Sequence, residues 1–161
     1  MRKLSRFLII IFLLCLFIGT ASVRAADEQL GLTIDGSLLT EKLEVSADTR
    51  TGARGTYLSY GSATLTNKGN HVVNVFGSTT CYKTSDQVKV TLHLQRLVKG
   101  TWSTVTTLDT KIAYNDHYVS NSRNVTVTGG YYYRIFGNHV AIKGNTVGST
   151  TSVTDGMWVS K

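Results

Sequence analysis

The chain has 161 residues, 17 of them basic and ten acidic, with two cysteines and no proline. That length suits one domain behind a leader, and two cysteines are too few for a disulfide-stapled miniature scaffold. The bases stand singly along the chain, which excludes the clustered stripe of a nucleic-acid binder.

Arg2, Lys3 and Arg6 precede an unbroken apolar run from Phe7 to Ile18, and Val23-Arg24-Ala25 ends it with small residues at the −3 and −1 positions. This is the pattern of a secretory signal peptide, with cleavage expected after Ala25. The run is shorter than the ~20 residues a membrane-spanning helix needs, and no second run of that length follows. Cys15 follows Phe12-Leu13-Leu14 rather than small residues, so a released product without a transmembrane or lipid anchor is expected. The leader holds four bases and no acid, leaving thirteen bases against ten acids in the mature chain.

Residues 26–54 are acidic. They carry Asp27, Glu28, Asp35, Glu41, Glu44 and Asp48, and the stretch from Ser46 to Arg54 is small, polar and turn-forming. Too little apolar surface is present there to offset the entropy of ordering. The reading is a mobile acidic spacer or pro-segment that contributes at most one edge strand and offers Arg50 and Arg54 to proteases. From Arg50 onward twelve bases face four acids, so an anionic wall polymer or membrane surface would be attracted.

Residues 55–161 read as one all-β domain. Val88 to Gln95 alternate apolar and polar, the mark of a strand with one buried and one wet face. Lys99-Gly100 then turns the chain, and a two-residue loop sets Leu94 against Val105 on the inner face and Leu97 against Trp102 on the outer one. Further strands are expected at 56–66, 71–80, 104–113, 138–143 and 151–159, with turns at Asn67-Lys68-Gly69-Asn70, Asn115-Asp116, Lys143-Gly144-Asn145 and Asp155-Gly156. Parity places Val125, Val127, Tyr131, Tyr133 and Ile135 on one side if the Gly129-Gly130 region is a three-residue turn or a crossover. Tyr132 and Arg134 then face outward. The expected architecture is an antiparallel β-sandwich with Ig-like features, with Val88, Val90, Leu92, Leu94, Val125, Val127 and Tyr133 in its core.

Several pieces together carry a resemblance: Ser62-Ala63-Thr64-Leu65-Thr66-Asn67, the Gly-x-Trp of Gly100-Thr101-Trp102, Gly130-Tyr131-Tyr132-Tyr133-Arg134 and Thr150 to Gly156. Over residues 55–159 the chain resembles small secreted proteins of Gram-positive bacteria that carry a domain of unknown function. The resemblance implies export and a compact β domain, and no activity.

Chemistry finds few footholds. No Gly-x-Ser-x-Gly is present, and His71, His93, His117 and His139 stand apart without metal-ligand spacing. From Arg50 onward the only carboxylates are Asp86, Asp109, Asp116 and Asp155, three of them beside turn residues, so no metal, cofactor or catalytic residue is assigned. Cys81 reads as a buried small hydrophobe, with a disulfide-linked dimer as the alternative. Tyrosine and tryptophan suit stacking on sugar faces, and the outward set Leu97, Trp102, Tyr132 and Arg134 is the candidate contact patch. The expected function is a secreted, non-catalytic binding protein for cell-wall glycan or an anionic surface polymer. A bacteriocin-like toxin and an exported hydrolase are the alternatives.

Overall fold

The computed structural model describes residues 31–49 and 56–161. The expected leader, its cleavage point, Arg50 and Arg54 lie outside them. The described chain is all β: β1 (Thr33–Ile34), β2 (Ser37–Thr40), β3 (Glu44–Asp48), β4 (Leu58–Gly69), β5 (Val72–Val98), β6 (Thr101–Thr107), β7 (Lys111–Thr126), β8 (Tyr131–Lys143), β9 (Thr146–Val153) and β10 (Gly156–Val159).

β5 organises the molecule. At ~3.3 Å per residue, its 27 residues would span ~90 Å if straight, far beyond a domain of this size. It therefore bends. Its ladder with β7 skips from Thr80 to Ser85, leaving Cys81 to Thr84 as a bulge. The bulge also changes parity: Val73, Val75, Thr79 and Cys81 point inward before it, and Val88, Val90, Leu92 and Leu94 after it. One concave face thus stays apolar around a corner.

The first half of β5 lies between β4 and the C-terminal part of β7. The second half has β8 on one side and the start of β7, then β6, on the other. β8 continues to β9 and β10, and β10 to β2 and β1. The result is one curled sheet whose two halves face each other, rather than two separate antiparallel sheets. It is also mixed, because β2 runs parallel to β10.

Closure of the curl depends on glycine. A Cβ on Gly77 would meet Leu92 Cδ2 at 2.5 Å, so β5 touches its own second half there. A Cβ on Gly61 would fall within the ring of His139. The enclosed core contains Val88, Val90, Leu92, Leu94, Val127 and Tyr133 as expected, with Val125 packed at its margin.

Three expectations change. Residues 33–48 are part of the sheet, so the boundary expected at 54/55 cuts across the fold: β3 pairs with β4 from Glu44 opposite Thr66 to Asp48 opposite Ser62. Leu94 lies opposite Thr106, not Val105, because a bulge shifts the β5–β6 register after Gln95–Thr104. Asn115 has positive φ (52°) inside β7 and is an irregularity in a strand, not a turn between two. The Lys99-Gly100 hairpin forms in the expected register, with φ of 49° and 79°. The Gly129-Gly130 region is a crossover, since β7 pairs with β5 and β8 with β5, β9 and β10.

Candidate functional site

Alternation along the second half of β5 decides the outer face. Because Val88, Val90, Leu92 and Leu94 point inward, Gln87, Lys89, Thr91, His93, Gln95 and Leu97 point out. Cross-strand pairing extends each into a row. Tyr114, Gln87, Ile142 and Val147 form the first, and Ile112, Lys89, Val140 and Ser149 the second. Thr91, Asn138 and Thr151 form the third, with Thr110 joined through a 2.7 Å hydroxyl contact to Thr91. Thr107, His93, Phe136 and Val153 form the fourth.

These rows are open. Tyr114 is 66% exposed, Val147 63% and Ile112 40%. Strands ~4.8 Å apart and outward residues ~6.8 Å apart along each strand make a regular surface that alternates apolar contact with hydrogen-bonding groups. His93 is fixed in it, with Nδ1 2.8 Å from Thr107 Oγ1 and Nε2 accepting from Asn138 Nδ2 at 3.2 Å.

The same face continues to the four residues singled out from sequence. Gln95 lies opposite Arg134, Leu97 opposite Trp102, and Tyr132 opposite Trp158. Leu97, Trp102, Tyr132 and Arg134 therefore do share one face. They are not a free surface, however: Trp102 is 9% exposed, Tyr132 5% and Arg134 4%. Their cover is the β1–β2 hairpin, turned at Asp35-Gly36 with φ of 48° and 76°. Both central residues at positive φ are what a tight two-residue hairpin requires, and Asp-Gly supplies them readily. That dipeptide was the signal for an ordered arm within the acidic segment.

Between the arm and the sheet, Leu39 of β2 joins Leu97, Trp102 and Tyr132 in a second apolar cluster, edged by Ile34 and Trp158. The Tyr132 and Trp158 rings lie 4.8 Å apart, tilted by 55°. Arg134 is the polar centre. It donates from Nε to Gln95 Oε1 (2.8 Å), from Nη1 to Asp35 O (2.6 Å) and Ser37 Oγ (2.8 Å), and from Nη2 to Asp35 Oδ2 (2.9 Å). Its guanidinium carbon sits 4.5 Å from the centroid of Trp102. Burial pulls its pKa down and Asp35 partly restores it; the starting value is high enough that it stays charged. Trp102 Nε1 donates to Ile34 O at 3.2 Å.

A chain of hydrogen bonds inside the curl has the outline of a nucleophile, base and orienting group. Thr79 Oγ1 donates to the Lys89 carbonyl at 2.8 Å, so it accepts from His139 Nδ1 at 2.9 Å, and Nε2 then accepts from Ser152 Oγ at 2.8 Å. Burial pushes the His139 pKa down to about 4. His139 and Thr79 are fully buried and Ser152 nearly so, leaving no path for a substrate. The relay is structural. Cys81 is buried too, and desolvation raises its pKa, as befits a thiol serving as a small hydrophobe. Among the described residues no group of three or more His, Cys, Asp or Glu could hold a metal ion, and no helix is long and apolar enough to cross a membrane.

A model of a family of unknown function, DUF6147, matches residues 25–157. The chain belongs to that family. No curated protein and no solved structure matches it. The DUF6147 match includes residues 33–48, so the covering arm and β3 fall within the family's domain rather than before it.

Proposed function

We propose that this DUF6147 protein is an exported, non-catalytic binding protein that holds cell-wall glycan, or another anionic surface polymer, against the open rows of its outer face. The observation that carries the reading is that face: four adjacent strands present Tyr114, Ile112, Phe136 and Val147 together with Lys89, Thr91, His93 and Asn138. Aromatic and aliphatic groups suit the flat faces of sugars, and the interleaved polar groups suit hydroxyls and acidic substituents. Export rests on the leader pattern of residues 1–25, at the last residue of which the family match begins. In this reading Leu97, Trp102, Tyr132 and Arg134 seat the arm, and the ligand contacts lie farther along the same face.

Retention on purified Gram-positive cell walls tests it. Wild type should be retained, Tyr114→Ala and Lys89→Ala should lose several-fold in retention, and both variants should keep wild-type unfolding midpoints. Equal retention of wild type and both variants would reject this face.

A further inference from the structure

The groove around Arg134 is a receptor for an Asp-Gly hairpin, and nothing in its construction specifies which molecule supplies the hairpin. Its walls come from β5, β6, β8 and β10 and from Thr154-Asp155, none of them strands that directly follow the arm. The hairpin is complete by itself. Thr33 pairs with Leu38 and Ile34 with Ser37, while Gly31 N donates to Leu39 O (2.8 Å) and Leu39 N to Leu32 O (2.9 Å). Its backbone attachment to the body is brief and parallel: Gly156 opposite Leu39 and Met157 opposite Thr40. The other ties are side-chain contacts, including Ser37 Oγ donating to Thr154 O (2.9 Å) and Leu38 N donating to Asp155 Oδ1 (3.1 Å). Only exposed Glu41-Lys42-Leu43 joins the hairpin to β3.

We infer that residues 31–40 form an exchangeable arm whose partner is a second copy of this chain, giving a reciprocal arm-swapped dimer. A swap of this kind re-forms every groove contact in trans, so the two states differ mainly in the hinge and in association entropy. The resident arm has an effective concentration in roughly the millimolar range, which makes exchange slow and dependent on protein concentration. A short hinge favours exchange because it constrains the closed form most.

A charge-reversed pair tests this on the full mature chain under reducing conditions, which remove any contribution from Cys81. Asp35→Lys sets a cation against Arg134, and Arg134→Glu sets an anion against Asp35. Lysine suits the turn position, because Lys99 occupies the same left-handed region in the β5–β6 hairpin. Each variant alone should show red-shifted tryptophan emission, since both tryptophans of the chain lie in the arm cluster. Mixed, each variant's arm meets an opposite charge in the other's groove. Native mass spectrometry should then show a one-to-one heterodimer with emission restored. Two monomers with unrestored emission, each folded by circular dichroism, would overturn the inference. If the variants fail to fold, the wild-type chain decides: co-refolded at increasing concentration, two mass-labelled copies should form a mixed dimer. A monomer throughout that series would overturn it equally.

Discussion

The two ends of one sheet face behave differently, although the same alternation builds both. At one end Tyr114, Ile112 and Val147 meet solvent; at the other Trp102, Leu97 and Tyr132 are buried beneath a hairpin from the start of the domain. Alternation along β5 assigns a side chain to a face. Whether that face is covered is decided by a segment about sixty residues away in the chain. Trp102 and Tyr132 at the closed end are packed away from solvent, and Tyr114 at the open end is exposed to it.

If the closed end is a true second core, its truncation should be the costliest change. Leu39→Ala removes the side chain that lies against Gly156 and Trp102, and should lower stability by ~2–5 kcal/mol with a red shift in tryptophan emission. Urea denaturation followed by fluorescence would show both. A loss below ~1 kcal/mol would mean that the arm is an ornament on the face.

Next in size is a pH effect from the inner layer beneath the open rows. His139 has a folded pKa of about 4 against an ordinary 6.5. Between those values the unfolded chain binds a proton that the folded chain excludes, so stability falls as pH drops from 6.5 to 4 and levels off below. The limit is ~3 kcal/mol. Denaturation midpoints over that range should slope for the wild type and lose most of that slope in His139→Asn.

Gln95→Ala removes the acceptor of Arg134 Nε at the boundary between the two ends, and about 1 kcal/mol of stability should go with it. Smallest of all, Tyr114→Ala at the open end should change stability by no more than ~0.5 kcal/mol while weakening wall retention. The closed and open ends are thus separable, one through unfolding and the other through binding.

Much of this was legible in the residues, for identifiable reasons. The regular alternation from Val88 to Gln95 marks the inner and outer faces, Lys99-Gly100 sets the Leu97–Trp102 pair, and the parity of Val125 to Ile135 predicts the burial of Tyr133. The arm was not legible, because its acidic and small residues resemble a spacer. Its order comes from partners a hundred residues away, Arg134 and Thr154, and from the Asp35-Gly36 turn. The continuity of β5 was hidden as well. Residues 81–86 are too polar to read as a strand, yet they lack glycine, proline and asparagine to end one, and so the chain bends without breaking. The bulge that moves Val105 out of register leaves no local signature in Ser103-Thr104-Val105-Thr106.

Iodide quenching of tryptophan fluorescence in the unsubstituted chain of residues 26–161 tests the central claim most directly, because both tryptophans lie at the closed end. A seated arm predicts blue-shifted emission and weak quenching, rising steeply when Leu39→Ala loosens the cover. Strong quenching of the wild type, unchanged by Leu39→Ala, would show Trp102 open to solvent and contradict the division of this face into a covered and an open end.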